Sequence, residues 1–219
     1  MKINKHIEHT NLDPTFSDRQ IGDLCQEVRD HSFYGVCVRP GNVFACAEEF
    51  TTRAKESIAT VVGFPFGATN TTSLLEEVKY VVDYVSHIDM VMDLHSFHSG
   101  RTKAVLDQIK AVRDLASEVQ LRVIVETGYL NEDQLKQATE IVLKTQADCI
   151  KTCTGYGPRG VSMQDIQIIK SVCGVDLGIK ASGGIKNYQF ACDLINAGAT
   201  VLGTSAGLDL MKQQKIFLR

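Results

Sequence analysis

Short runs of β-branched and apolar residues recur along this chain, separated by stretches with helical periodicity. Strands are expected near Ile7–Thr10, Val36–Arg39, Ile58–Gly63, Ile88–Leu94, Leu121–Thr127, Cys149–Thr152, Gly178–Ala181 and Val201–Thr204. Their centres fall roughly 22 to 33 residues apart, the length of a strand–helix unit. Between them, Ser17-Asp-Arg-Gln20 and Ser73-Leu-Leu-Glu76 fit capping boxes. After Ser73, the residues Leu74, Leu75, Val78, Val81, Val82 and Val85 make one helical stripe. Asn131 is placed to cap a helix, and Gly198 to end the one that begins near Asn187. Eight strands alternating with helices predict an α/β fold: a (β/α)8 TIM barrel, with residues 1–219 as a single domain. An open doubly wound sheet is the alternative, because alternation alone does not prove closure.

Composition narrows the function. Hydrophobic residues make up 44% and charged residues 22% of the 219, as in ordinary globular proteins. Net charge is −3 and no Lys/Arg block occurs, which argues against nucleic acid and anionic membranes as partners. The polar start MKINKHIEHTNLDP lacks the apolar stretch of a signal peptide, and no run approaches the length of a membrane span. Seven cysteines, odd in number and without CxxC spacing, point to reduced thiols and a cytoplasmic location.

Charges inside strands carry the chemistry. Side chains alternate faces along a strand, so an apolar neighbour fixes which way a charge points. Ile150 suits the helix-facing side, which turns Lys151 into the barrel. Ile179 does the same for Lys180. Ile88, Met90 and Met92 face the helices, so Asp89, Val91 and Asp93 are expected to face the axis. The same alternation sends Glu126 inward. Neighbouring strands lie about 4.8 Å apart, which brings Lys151 close to Lys180. A desolvated lysine beside another cation is pushed toward its neutral form, the form that attacks a carbonyl. The competing reading pairs each lysine structurally with Asp89 or Glu126. Two lysines on adjacent strands weaken that reading, since unmatched buried charge is costly. Cys37, Glu126 and Asp93 are further candidates for a substrate pocket.

Two small-residue loops follow the last strands: Ala181-Ser-Gly-Gly-Ile185 and Gly203-Thr-Ser-Ala-Gly207. Each leads toward a helix N-terminus with backbone N–H groups free to meet an oxyanion, and barrels often bind phosphate there. Gly155, Gly183, Gly184, Gly203 and Ser205 are the phosphate candidates. For either loop alone, glycines that merely make tight turns are the simpler account.

These motifs resemble, in order, those of the deoxyribose-phosphate aldolases. They are Ile7-Glu-His-Thr10, Val36-Cys-Val-Arg-Pro40, Val62-Gly-Phe-Pro-Phe-Gly67, Ile88-Asp-Met-Val91, Val123-Ile-Val-Glu-Thr127, Ile150-Lys-Thr-Cys-Thr-Gly155, Lys180-Ala-Ser-Gly-Gly-Ile185 and Gly198-Ala-Thr-Val-Leu-Gly-Thr-Ser-Ala-Gly207. The likeness runs from about residue 6 to 210. It implies Lys151 as the Schiff-base lysine, Lys180 as the second lysine that perturbs it, and Asp89 as the acid/base carboxylate. It implies reversible cleavage of 2-deoxy-D-ribose 5-phosphate to D-glyceraldehyde 3-phosphate and acetaldehyde, in deoxyribose phosphate catabolism. It implies no cofactor, a small sugar phosphate as partner, and a homodimer or higher homo-oligomer.

The chain departs from that pattern at several points. Glu8 stands where Asp is usual and Arg39 where Asn is usual. His87, Asp93, His95 and His98 alter the fourth strand and its sequel, and Tyr156-Gly-Pro-Arg159 alters the loop after Lys151. These changes leave room for a related Schiff-base aldolase with another aldehyde pair, or for a non-catalytic phosphate-binding barrel. His6-x-x-His9 and His95-x-x-His98 raise a metal-dependent alternative, but no HExxH or cysteine cluster supports it, and no metal site is expected.

Overall fold

The computed structural model describes residues 1–50 and 58–218. Eight parallel strands close into a barrel in the order of the sequence. They are β1 (Ile7–Asn11), β2 (Gly35–Val38), β3 (Ile58–Val62), β4 (His87–Val91), β5 (Gln120–Ile124), β6 (Cys149–Lys151), β7 (Gly178–Ser182) and β8 (Val201–Thr204). Closure comes from β1 pairing with both β2 and β8, so that Glu8 stands opposite Gly35 on one side and Gly203 on the other. The open sheet is thereby excluded.

The described helices are α1 (Asp18–His31), α2 (Val43–Glu49), α3 (Thr71–Val81), α4 (Leu94–His98), α5 (Thr102–Leu115), α6 (Glu132–Leu143), α7 (Met163–Cys173), α8 (Tyr188–Asn196) and α9 (Gly207–Phe217). Their apolar stripes bury against the outer face of the barrel. Leu74, Val78 and Val81 of α3, and Val105, Ile109 and Val112 of α5, repeat at helical spacing and join Ile88, Met90, Leu121 and Ile150 in one core. Each such side chain contributes roughly 1.5–3 kcal/mol on burial. A smaller cluster of Cys37, Ala59 and Val61 lies apart from that layer.

Caps set the helix starts. Asn131 Oδ1 accepts from Gln134 N–H at 2.9 Å, and Gln134 Oε1 accepts from Asn131 N–H at 3.0 Å. Gln20 Oε1 likewise accepts from Ser17 N–H at 2.9 Å. The expected cap at Ser73 is corrected to Asn70, whose Oδ1 accepts from Ser73 N–H at 3.0 Å. Asn70 lies three residues upstream and supplies the same kind of acceptor, so the helix begins one turn earlier. Strands β4 and β5 also end sooner than their apolar runs, at Val91 and Ile124.

Candidate active site

Lys151 closes β6, and the ladder register sets Lys180 of β7 directly opposite it. Asp89 sits mid-strand in β4, opposite Arg122 of β5. The inward alternation turns all four side chains into one buried group. Lys151 Nζ donates to Asp89 Oδ2 at 2.8 Å, and Lys180 Nζ donates to the same oxygen at 2.5 Å. Arg122 Nη1 donates to Glu8 Oε1 at 2.6 Å and lies 3.3 Å from Asp89 Oδ1. Lys180 Nζ also contacts Glu8 Oε2. Two carboxylates therefore meet three basic side chains inside the barrel.

Burial works against every charge in this group, and the neighbours decide the outcome. Burial alone would raise the Asp89 pKa, but Lys151, Lys180 and Arg122 hold it far below the carboxylate range. Glu8 is lowered too, because Arg122 and Lys180 outweigh its burial and its repulsion from Asp89. Burial would lower Lys180, yet Asp89 and Glu8 hold it above the usual ammonium range. Lys180 thus rests as a cation beside Lys151. His87, at the start of β4, is pushed down to about 4 by burial and by Arg122. Its ring meets Ser86 Oγ at 2.6 Å and Tyr34 Oη at 3.0 Å.

A cavity of about 660 Å³ opens over the C-terminal ends of the strands, with Lys151 on its wall. Gly155, Gly183, Gly184, Gly203 and Ser205, from the ends of β6, β7 and β8, line the same cavity. Gly183 and Gly184 have φ of 95° and 77°, a backbone path open to glycine at little cost. Asp89 and Lys180 are absent from the lining and are fully buried. Gly203 leaves space for the Lys180 stem: a Cβ there would sit 3.1 Å from Lys180 Cε.

Three expected pocket residues do not line the cavity. Cys37 points into the barrel beside Ala59 and Val61, and burial pushes its thiol up to about 12. Asp93 lies past the end of β4 and caps α4, accepting from Ser96 N–H at 2.9 Å and Ser96 Oγ at 2.6 Å. Glu126 lies past the end of β5 with φ 52°, and its Oε2 accepts from Thr154 N–H at 3.1 Å rather than from either lysine. Alternation loses its force where the strand stops. The expectation also overlooked Glu8 and Arg122 as members of the ion cluster. Arg122 was readable, since Leu121 and Val123 flank it on the helix-facing side.

The histidine pairs do not converge. His9 Nε2 meets Glu27 Oε2 at 2.7 Å, His6 Nδ1 meets Thr200 O at 3.0 Å, and His95 and His98 are exposed. Among the described residues, the one grouping with metal-ligand spacing is Glu8, Cys37 and Asp89. Both its carboxylates already face Arg122 and Lys180, so the donor set suits cationic side chains rather than a metal ion. No helix among the described residues is long and apolar enough to cross a membrane.

The family profile described as "DeoC/LacD family aldolase" matches residues 6–214. A deoxyribose-phosphate aldolase of Bdellovibrio bacteriovorus is 39% identical over 213 residues, covering 97% of this chain and 96% of its own. One from Mycoplasmopsis pulmonis is 39% identical, covering 99% of this chain and 98% of its own. Among solved structures, the aldolase QR15 superposes with a TM-score of 0.91 at 33% identity over 100% of both chains. The tetrameric deoxyribose phosphate aldolase of Aeropyrum pernix superposes with a TM-score of 0.91 at 24% identity, over 98% of this chain and 92% of its own.

Proposed function

This chain belongs to the DeoC/LacD family of aldolases, and from that premise we propose that it is a deoxyribose-phosphate aldolase with Lys151 as its Schiff-base lysine. It cleaves 2-deoxy-D-ribose 5-phosphate reversibly to D-glyceraldehyde 3-phosphate and acetaldehyde. The observation that carries this reading is the placement of Lys151. It is the one lysine of the buried cluster that reaches the cavity, and it stands beside Lys180 with Asp89 between them.

With Lys151 neutral, Glu8 and Asp89 balance Lys180 and Arg122, and the buried cluster carries no net charge. That microstate presents the free amine a carbonyl requires. Lys151 attacks C1 of the open-chain sugar, and loss of water leaves a protonated imine. The C3 hydroxyl gives up its proton, the C2–C3 bond breaks, and its electron pair flows into the imine to form an enamine. Asp89 and Lys180 move the proton through a water. Glyceraldehyde 3-phosphate leaves. Protonation of the enamine and hydrolysis of the imine release acetaldehyde and regenerate Lys151. The imine is the electron sink, so this sequence calls on no metal or organic cofactor.

Gly155, Gly183, Gly184, Gly203 and Ser205 hold the phosphate in this reading. What supports it is that all five share one cavity with Lys151. Seven free, buried cysteines support a cytoplasmic enzyme. A homodimer or larger homo-oligomer is part of the same proposal. Its support is an exposed aromatic group, where Tyr80 and Tyr84 pack on Phe44 at ring distances of 5.2 and 4.6 Å. Sedimentation velocity tests it, and a monomer at all concentrations would remove it.

Borohydride reduction in the presence of 2-deoxyribose 5-phosphate, followed by peptide mass mapping, tests the chemistry. The adduct is expected on Lys151. An adduct on Lys180, or none, sinks the assignment.

A further inference from the structure

Glu126 has no role in the reaction as written, and its surroundings are unusual. It is 1% exposed, yet no Lys, Arg or His pairs with it among the described residues. Burying a lone carboxylate is expensive unless hydrogen bonds to the charged form compensate. Both of its bonds run to one residue: Oε2 accepts from Thr154 N–H at 3.1 Å and from Thr154 Oγ. Thr154 Oγ1 in turn accepts from Tyr156 N–H at 3.0 Å. The second carboxylate oxygen, Oε1, is buried without a hydrogen-bond partner among the described residues.

The backbone is bent to make this possible. Glu126 takes a left-handed conformation, φ 52° and ψ 67°, that side chains other than glycine rarely adopt. The loop is shaped to receive it: a Cβ on Gly157 would lie 2.8 Å from the Glu126 carboxyl carbon and from Oε1. Further along, Arg159 clamps the loop with paired bonds to Asp165 at 2.7 and 2.9 Å and a bond to Thr127 O at 2.9 Å. Thr154, Gly155 and Tyr156 line the cavity, whereas Glu126 does not.

We propose that Glu126 is a positioning residue that sets the Thr154–Tyr156 edge of the cavity against the phosphorylated end of the substrate. This rests on the aldolase reading above. Glu126 touches no reacting atom. It acts by fixing the direction of the Thr154 N–H and hydroxyl, and through them the path of Gly155 and Tyr156. Its contribution is to recognition of the phosphate ester rather than to bond cleavage at C2–C3.

The test compares 2-deoxyribose 5-phosphate with unphosphorylated 2-deoxyribose in E126A, E126Q and Thr154→Val. Losing both Glu126–Thr154 bonds is expected to raise KM for the phosphorylated sugar about tenfold in E126A. Its kcat stays within about a factor of two, because the lysines are untouched. Preference for the phosphorylated sugar therefore falls. E126Q keeps an acceptor oxygen at the same place and restores most of that preference. A loss shared equally by both sugars, or no change with either, overturns the proposal. Should E126A fail to fold, Thr154→Val decides. It removes one donor to Glu126 and must shift the preference the same way, and an unchanged preference overturns the proposal. Borohydride capture of acetaldehyde separates the two readings. Failure of capture in the wild-type protein overturns the aldolase reading. Wild-type capture with unaltered sugar preference in the variants overturns this one.

Discussion

Lys180 lies directly across the β6–β7 ladder from Lys151, and the two Nζ atoms meet at a single oxygen, Asp89 Oδ2. The environments of the two differ. Lys180 has two carboxylate neighbours and is fully buried, while Lys151 has one and reaches the cavity. In the proposed reaction this asymmetry gives Lys180 the charge and Lys151 the substrate.

Removing either lysine should therefore give different defects. Lys151→Ala is expected to abolish turnover and borohydride capture together. Lys180→Met keeps the proposed nucleophile, Lys151, but removes the cation beside it. Its kcat should fall by roughly 10²–10⁴, with slow capture of acetaldehyde still at Lys151. Steady-state kinetics and peptide mapping check both. Near-normal kcat in Lys180→Met would show that the pair is structural.

Arg122 should matter for stability as much as for activity. Glu8 and Asp89 are both buried, and Arg122 reaches one oxygen of each. Arg122→Met fills similar volume but leaves two carboxylates against the lysines alone. Breaking a buried ion network from one side typically costs about 3–5 kcal/mol. A fall of that size is expected in urea denaturation at pH 7. Stability equal to the wild type would mean that water or rearrangement compensates the carboxylates.

The fate of individual residues shows what was legible from sequence. Lys151, Lys180 and Asp89 were readable because each has an apolar neighbour whose face is unambiguous. Arg122 obeys the same rule, but its partner Glu8 lies 114 residues away, and no local pattern joins them. Glu8 is further disguised by His9. That polar neighbour turns outward to Glu27, so the alternation around Glu8 does not look amphipathic. Asp93 and Glu126, expected to face the axis, bond to Ser96 and Thr154 rather than to the lysines. Apolar runs continue past Val91 and Ile124, where the strands end although single inter-strand bonds run on from Met92 and Val125, and at Glu126 the backbone turns to a positive φ. Closure was also beyond local reading, since it depends on β1 meeting β8 across nearly the whole chain.

His87 should make stability depend on mild acid. Burial, then Arg122, holds its folded pKa at about 4 against an ordinary 6.5. Between those values the unfolded chain binds more protons. Stability present above pH 6.5 is therefore lost as pH falls toward 4. A shift of this size corresponds to roughly 3 kcal/mol over the window. Asp89 and Glu8, lowered in the fold, add losses in the same direction at lower pH. Urea midpoints measured from pH 7 to 4.5 should fall steeply for the wild type and less steeply for His87→Gln. Parallel curves would show that His87 titrates normally in the folded protein.

Gly203 offers a test of how closely Lys180 must be held. The residue sits in β8 opposite Glu8 and Ser182, and it lacks a positive φ, so alanine costs nothing in backbone conformation. The added Cβ would lie 3.1 Å from Lys180 Cε and 3.1 Å from Ser182 Cβ. Both contacts are tight enough that one neighbour must move. Ser182 is anchored by its hydroxyl to Cys153 O at 2.5 Å and by its N–H to Thr152 Oγ1 at 3.0 Å. The lysine stem is the softer of the two, so Nζ shifts relative to Asp89 Oδ2. Overpacking of this kind costs about 1–3 kcal/mol in stability. Small displacements of a catalytic group cost more in rate, so kcat in Gly203→Ala should drop about tenfold or more. Thermal melts and kinetics on the same preparation separate the two effects. A melting point close to wild type with unchanged kcat would show that Lys180 tolerates displacement and that its charge, rather than its exact position, is what the site needs.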